Sequence, residues 1–175
     1  MNKTGVIYGI NGPVVYLKGN TGFKMSEMVY VGKERLVGEV IALTKDTTTV
    51  QVFEETTGLK PGETVTASGD ALSVTLGPGI LNNIFDGIER PLSEIAKQSG
   101  KYISRGLTVD SLDTEKKWDV HVTVSEGEEL MGGAIIAETQ ETRSIVHKSM
   151  VPPDVNGTVI WAAKDGKYTI LDPIV

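Results

Sequence analysis

The sequence of 175 residues contains no cysteine, only two histidines and no long apolar run. Without cysteine, neither a disulfide framework nor a thiolate metal site can form, which suits a reducing compartment. No apolar stretch approaches the roughly 18 residues that a membrane-spanning helix needs, and the N-terminus lacks the charged-then-apolar pattern of a secretory signal. We therefore expect no direct insertion into a membrane.

Motifs for nucleotide binding and for acyl transfer are missing as well. A phosphate-binding loop has the form Gly-x-x-x-x-Gly-Lys-[Ser/Thr], but the Gly-Lys pairs of this chain are followed by Glu34, Tyr102 and Tyr168. The Gly-x-Ser-x-Gly elbow of serine hydrolases is also absent. We therefore predict that this chain neither binds nor hydrolyses ATP.

Few side chains remain for acid–base or metal chemistry. Adjacent residues on a strand point to opposite faces, so the pairs Glu54-Glu55 and Glu128-Glu129 cannot flank one bond as a unit, and we expect them in solvated turns. His121 and His147 lack the i,i+4 spacing of a helical zinc site. We predict no catalytic, cofactor-binding or metal-binding residue in this chain.

Charge is distributed unevenly along the chain. The formal net charge is −6, and residues 111–175 carry −5 of it, with 11 acidic and 6 basic side chains. An acidic surface repels phosphate backbones, so nucleic acid is not the expected partner. A basic protein partner fits better, and the alternative is a solvated acidic face that only favours solubility.

The first 76 residues alternate short β-branched runs with turn residues. Short strands with turns about every eight to twelve residues are typical of a small closed barrel. We therefore predict an N-terminal β-barrel over residues 1–76. Its predicted strands lie on both sides of the turn Asn11-Gly12-Pro13 and at Met28–Val31, Leu36–Thr44, Thr47–Phe53, Thr64–Ala67 and Leu72–Leu76.

A connecting segment is predicted over residues 77–110. In its first part, Gly77–Leu92, glycines and a proline interrupt large apolar residues, which indicates tight turns over an apolar surface. A short helix is predicted from Pro91 to Gly100, since proline suits a first helical turn and glycine ends a helix. Five apolar side chains are expected to fold back onto the second half of the chain, or else to join two chains: Ile80, Leu81, Ile84, Phe85 and Ile88.

The last part of the chain again has the pattern of strands. From Trp118 to Val124, apolar and polar residues alternate, which predicts a strand with one buried and one solvated face. We predict a compact β-rich module over residues 111–175 and a mainly β fold for the whole chain. Further strands are predicted at Ala134–Glu138, Ile145–Met150, Gly157–Trp161 and Lys167–Leu171.

Two stretches resemble the catalytic A subunit, or alpha chain, of V-type and A-type rotary ATPases. They read Leu-Ser-Val-Thr-Leu-Gly-Pro-Gly at residues 72–79 and Ile-Phe-Asp-Gly-Ile-Glu-Arg-Pro-Leu at residues 84–92, and the similarity extends over essentially the whole chain. The resemblance implies an N-terminal barrel followed by an insertion, or bulge, domain at 111–175 that projects outward from the catalytic head.

The resemblance also implies a function and partners. The intact subunit would bind Mg-ATP and hydrolyse or synthesise it, coupled to proton or sodium transport, in a cytoplasmic complex peripheral to the membrane. This chain would be a non-catalytic N-terminal fragment of that subunit. Its expected partners are B subunits, whose barrels alternate with those of A subunits in a ring, and the subunits of a peripheral stalk.

Two other classes remain as alternatives. Residues 145–159 also resemble biotinyl and lipoyl carrier sandwiches, in which the modified lysine occupies the tip of a turn about eight residues before a proline, although a shared fold does not imply a shared function. Counting back from Pro153 reaches Ile145, the predicted turn at 140–143 has no lysine, and Lys148 lies in a predicted strand. An oligonucleotide-binding barrel would need aromatic platforms on a basic groove, whereas residues 1–70 are nearly neutral.

Overall fold

The computed structural model of the chain describes residues 3–19, 21–100 and 103–175. These residues form mainly β-structure with one short helix, which confirms the predicted fold class. The helix α1 spans Leu92–Ser99. The strands are β1 (Thr4–Asn11), β2 (Val14–Lys18), β3 (Glu27–Val31), β4 (Leu36–Leu43), β5 (Thr47–Val52), β6 (Thr64–Ala71), β7 (Trp118–Val122), β8 (Glu129–Leu130), β9 (Ile135–Gln140), β10 (Val146–Met150), β11 (Gly157–Thr158) and β12 (Gly166–Tyr168).

The chain forms two compact units, each drawn from two stretches of sequence. The first unit comprises Met1–Val74 and Ile95–Thr108, and the second comprises Thr75–Glu94 and Val109–Val175. The segment between the predicted barrel and the predicted insertion therefore contributes residues to both units. The functional domain bounds 1–76, 77–110 and 111–175 stay a prediction.

Six strands of the first unit close into an antiparallel barrel in the order β1-β2-β5-β4-β3-β6. The ring is complete because β6 pairs with both β1 and β3. Successive side chains leave a strand on opposite faces, so alternate residues point into the barrel. Among the described residues, twelve buried apolar side chains form its core: Ile7, Val15, Leu17, Phe23, Val29, Val31, Leu36, Val40, Val50, Val52, Val65 and Ala67.

The strand predicted at Leu72–Leu76 is wrong. β6 continues from Thr64 through Ala71, where Ala71 pairs with Glu27 of β3. The five residues that follow are exposed and belong to no strand. Their alternating pattern resembles a strand, but the six described strands of the barrel pair with one another all the way round and leave no free edge to join.

The second unit contains a four-stranded antiparallel sheet in the order β10-β9-β7-β12 and a two-stranded ribbon of β8 and β11. The predicted alternation in β7 is present, since Trp118 is buried while Asp119 and His121 are exposed. β11 and β12 are shorter than predicted. β12 ends at Tyr168 because the next residue, Thr169, turns the chain by donating its backbone N–H to the Asp172 carboxylate at 2.7 Å.

The predicted helix is present as α1, one residue shorter at each end than the predicted range. It ends at Ser99, and the next residue, Gly100, has a φ of +72° and donates its backbone N–H to the Ala96 carbonyl at 3.0 Å. Such a left-handed residue after the last turn suits glycine. Within the helix, Ile95 is buried, whereas Leu92 and Ala96 are exposed.

Candidate functional site

The loop between Gly77 and Leu92, which carries much of the family resemblance, packs closely on the rest of the second unit. A Cβ at Gly77 would lie 2.8 Å from Leu112 Cδ1, so only glycine fits there without movement of its neighbour. Gly79 has a φ of +107°, and a Cβ there would lie 3.2 Å from Trp118 Cζ2. These two glycines let the backbone approach the apolar side chains of the module.

A buried carboxylate fixes the start of this loop. The Glu141 side chain is 3% exposed, and its Oε1 accepts the backbone N–H groups of Gly79 at 2.8 Å and Leu81 at 3.0 Å. Its Oε2 lies 3.7 Å from His147 Nδ1. A buried carboxylate is costly unless hydrogen bonds replace its hydration, and here two loop amides do so. Glu141 therefore ties the loop to the turn between β9 and β10.

A second acidic residue organises the end of the loop. Asp86 Oδ1 accepts the backbone N–H groups of Ile88 at 3.1 Å and Arg90 at 2.9 Å, and its Oδ2 lies 2.8 Å from Arg90 Nε. Burial raises the pKa of Asp86, but the hydrogen bonds from the Arg90 backbone, the Arg90 side chain and the Ile88 backbone outweigh it, so the pKa lies below its ordinary value of 3.8. The Asp-Gly-Ile-Glu-Arg stretch is thus a closed turn around one carboxylate.

The apolar side chains of the loop divide between two environments. Ile80, Phe85 and Ile88 are partly buried, whereas Leu81 is 38% exposed and Ile84 is 73% exposed. The segment folds back onto the β module, as predicted, through the Glu141 contacts. Leu81 and Ile84 stay exposed, so folding back buries only part of the five side chains, and the alternative that the segment joins two chains stays a prediction.

A cavity of about 250 Å³ lies in the second unit beneath the start of the loop. Leu76, Pro78, Leu112, Trp118 and Ile174 contribute apolar walls, and Ser149 and Thr139 contribute hydroxyl groups. Lys116 Nζ lies 3.7 Å from the centre of the Trp118 ring, a cation–π contact. The buried indole Nε1 of Trp118 has no acceptor among the described residues.

The two histidines lie in different surroundings. His121 Nδ1 is 2.7 Å from Asp165 Oδ2, and this exposed hydrogen bond raises the pKa of His121 above its ordinary value of 6.5. His147 instead faces the buried Glu141. Within the ranges that the structure describes, no three His, Cys, Asp or Glu residues come together in a group that could hold a metal ion.

The acidic pair Glu54-Glu55 is not wholly a solvated turn, contrary to the sequence prediction. Glu54 is half-buried, and its Oε2 accepts the backbone N–H of Gly106 at 2.9 Å. Arg105 donates to the Thr57 carbonyl and lies 3.3 Å from Glu34 Oε1. Residues 105–106 are thereby fastened to the barrel of the first unit. A local sequence pattern cannot predict these bonds, because the paired residues lie about 50 to 70 positions apart in the sequence.

The Gly-Lys pairs in the described part of the chain do not form phosphate cradles. The Lys33 backbone N–H donates to Glu63 Oε2 at 3.1 Å, so a carboxylate already occupies that donor. Lys167 belongs to β12, where its Nζ lies 3.9 Å from Asp119 Oδ1. The third pair contains Lys101, which is outside the described residues.

The carrier alternative lacks an attachment lysine in the structure as it does in the sequence. The turn between β9 and β10 contains residues 141–145, none of which is lysine. Lys148 lies in β10, and its Nζ is 3.6 Å from Glu138 Oε1. The carrier alternative is therefore not supported.

The described residues include one helix, α1, of eight residues, and no described helix has the length and apolarity to span a bilayer.

Comparison with known proteins connects these features to one family. Residues 7–69 match the family model described as "ATP synthase alpha/beta family, beta-barrel domain", and residues 109–175 match "ATPsynthase alpha/beta subunit barrel-sandwich domain".

Individual relatives align along almost the entire chain. The V-type ATP synthase alpha chain of Halothermothrix orenii is 50% identical over 100% of this chain and 30% of its own length. The V-type ATP synthase alpha chain 2 of Clostridium tetani is 51% identical over 98% of this chain and 29% of its own length. The A subunit of the A-type ATP synthase of Methanopyrus kandleri is 52% identical over 97% of this chain and 29% of its own length. The chain therefore spans about three tenths of the length of these relatives, and it belongs to the ATP synthase alpha/beta family, where it is similar to the N-terminal part of V-type and A-type A subunits.

Proposed function

We propose that this chain serves as the non-catalytic N-terminal region of the A subunit of a V/A-type ion-translocating ATPase or ATP synthase. The observation that carries the proposal is the identity of about 50% to such subunits across nearly every residue of the chain. The two matched family models support the proposal, because both describe domains of ATP synthase alpha/beta proteins.

We assign the barrel to assembly of the hexamer. Its outer surface presents the large apolar side chains Val6, Tyr8 and Ile41, which are at least 40% exposed. In β1, Val6 and Tyr8 alternate with the buried Ile7, so they share the outer face of the strand. Exposed apolar side chains of this size favour contact with another protein surface. The barrels of alternating A and B subunits would supply that surface in a ring.

We assign the module at residues 111–175 to the outward insertion that meets the peripheral stalk. This region carries a net charge of −5, and a surface of one sign promotes association with a partner of the opposite sign. The stalk must resist rotary torque, so a firm contact with an outward module of the A subunit would suit it.

The chemistry would belong to residues outside this chain. In the intact subunit, Mg-ATP would be bound and hydrolysed or synthesised in step with proton or sodium transport, within a cytoplasmic complex peripheral to the membrane. This chain contributes no phosphate-binding loop, since Lys33 and Lys167 follow glycines without the required Ser or Thr. Its role in the proposal is structural.

Assembly with the B subunit tests the proposal. The A subunit that carries this chain is co-expressed with its B subunit, and native mass spectrometry measures the fraction of hexamer. We expect Val6→Glu to reduce that fraction severalfold, because it places a charge on the apolar outer face of β1. Gln51→Glu is the control, since it adds the same charge at an exposed barrel position. Equal assembly of both variants and the parent protein would count against the assignment of the barrel.

A further inference from the structure

The ribbon of β8 and β11 presents one regular outer face. Glu129 of β8 is paired with Thr158 of β11, so their side chains leave the ribbon on the same side. The pairing extends beyond the two strands, because Val159 donates its N–H to the Glu128 carbonyl at 2.9 Å and Gly127 donates to the Val159 carbonyl at 2.8 Å. The ribbon is therefore an ordered platform longer than its named strands.

Two large apolar side chains border the ribbon and are open to solvent. Met131 directly follows β8, and Ile160 lies two residues after β11. Ile160 is 93% exposed and Met131 is 75% exposed. Val159, which precedes Ile160, is buried, and Leu130 is partly buried. The ribbon thus buries some of its apolar side chains and leaves these two in solvent.

Further apolar side chains border this outer ribbon face, which we define by Glu129, Met131, Thr158 and Ile160. Trp161 follows Ile160 directly, and Met150 and Val155 precede β11; all three are exposed. The loops that carry them are tied to the ribbon, since Gly132 N–H donates to Asn156 Oδ1 at 3.1 Å and Gly133 N–H donates to the Val151 carbonyl at 2.9 Å. Exposed Met, Ile and Trp in one ordered area are characteristic of protein-binding surfaces.

The charge around the outer ribbon face has one sign. Residues 125–135 and 150–161, which form the ribbon and its loops, contain four acidic side chains and neither lysine nor arginine. These acidic residues are Glu126, Glu128, Glu129 and Asp154. A partner that covers the apolar side chains must therefore bring positive charge to the rim, because another acidic rim would be repelled.

We propose that the outer ribbon face binds a basic amphipathic segment of another chain, with apolar side chains on Met131 and Ile160 and lysine or arginine facing the acidic rim. The two paired strands are short, so a helical segment of a few turns, at about 5.4 Å per turn, is enough to cover them and the residues that border them. This inference deepens the proposed function. It rests on one part of that proposal, namely that the second unit meets a further subunit.

Peptide binding by the chain of residues 1–175 tests this inference. The probe is a fluorescein-labelled Lys/Leu peptide of about three helical turns with leucines on one face. Fluorescence anisotropy measures its affinity for the chain. One control peptide has the same composition but scattered leucines. The second control peptide keeps the leucine pattern and has glutamate in place of lysine. We expect the amphipathic basic peptide to bind at least about ten-fold more tightly than either control and to lose affinity as salt is raised.

Two matched variants locate the binding surface. Ile160→Glu should weaken binding by at least about ten-fold, because it replaces the most exposed apolar side chain of the surface with a charge. Ile84→Glu makes the same exchange at another exposed isoleucine of the second unit and should leave the affinity within about two-fold. Met131→Glu provides an independent variant of the same face in case Ile160→Glu fails to fold, which far-UV circular dichroism reveals.

Three results would overturn the inference: equal affinity for all peptides, equal loss in the Ile160→Glu and Ile84→Glu variants, or a self-associated chain whose dimer is dissociated by Ile160→Glu. The last result would assign the face to a second copy of this chain. None of these depends on ATPase assembly. If Val6→Glu leaves hexamer assembly unchanged while the peptide still binds specifically, the assignment of the barrel to assembly is wrong and the binding inference for the ribbon still stands.

Discussion

The two units of this chain reach stability by different means. In the barrel, the strands alternate between fully buried and outward residues, and twelve apolar side chains form one core among the described residues. In the second unit, buried apolar side chains are fewer, and β10 has only exposed and half-buried positions. Hydrogen bonds to the carboxylates of Glu141 and Asp86 hold its loop in place. A closed barrel buries its whole interior, whereas a small open module relies more on polar anchors and neighbouring surfaces.

The largest expected effect is in the barrel core. Leu36→Ala removes a fully buried side chain and should lower the free energy of unfolding by about 2 to 5 kcal/mol. Leu112→Ala in the second unit should fall at the lower end of that range, because Leu112 already lines a cavity. Urea denaturation combined with amide exchange in each unit measures both. If Leu112→Ala lowers the free energy of unfolding more than Leu36→Ala does, the proposed difference between the two units is wrong.

Removal of the Glu141 carboxylate should have the next largest effect. Glu141→Ala leaves the Gly79 and Leu81 amides without their acceptor, at a cost of about 1 to 3 kcal/mol. Amide exchange at these two residues should accelerate while the barrel amides keep their protection. Glu138→Ala is the control, because the Glu138 side chain is more exposed and its carboxylate lies 3.6 Å from Lys148 rather than against the loop. Unchanged exchange at Gly79 in Glu141→Ala would show that the anchor does not hold the loop.

Acid should weaken the second unit through Asp86. The pKa of Asp86 is lower in the folded chain than its ordinary value of 3.8, so its contribution to stability is complete above 3.8 and is lost as the pH falls through the folded pKa. Asp86→Asn should remove this pH dependence and cost about 1.5 to 3 kcal/mol at neutral pH, the range for hydrogen bonds to a charged group. Amide exchange at Ile88 and Arg90 across an acid titration measures it, and an identical acid response in Asp86→Asn would contradict it.

A smaller effect of opposite sign is expected at His121. Its pKa is raised above 6.5 by the exposed hydrogen bond with Asp165, so the bond stabilises the folded chain below 6.5 and that contribution is lost as the pH rises through the folded pKa. A proton NMR titration of His121 measures this pKa directly. Asp165→Asn should return the His121 pKa toward its ordinary value of 6.5. An unchanged His121 pKa in that variant would remove Asp165 as the cause.

No effect at all is expected from Mg-ATP. Neither unit offers a Gly-rich loop with Lys-Ser or Lys-Thr, so the chain should bind no nucleotide in either unit. Isothermal calorimetry with Mg-ATP checks this, and the full-length A subunit serves as the positive control. A stoichiometric micromolar heat would show a nucleotide site without the usual phosphate-binding motif.

The sequence reveals much of the fold because its signals are local. Turn residues such as Asn11-Gly12-Pro13 and the alternation from Trp118 to Val124 depend on near neighbours, and the corresponding strands are present. The strand predicted at Leu72–Leu76 fails for a non-local reason, since pairing requires an edge that the barrel has already closed. Local pattern therefore predicts which residues can form a strand, and the rest of the fold decides whether a partner exists.

The sequence by itself determined the mainly β composition, the family motifs at residues 72–79 and 84–92, and the acidic charge of the last third. Only the tertiary structure decided that Glu141 binds the Gly79 amide 62 positions away, that Arg105 returns to the barrel, and that β8 pairs with β11. The physical reason is that composition and periodicity act over a few residues. Hydrogen bonds across long loops and the facing of ribbon residues depend on where distant backbone segments meet.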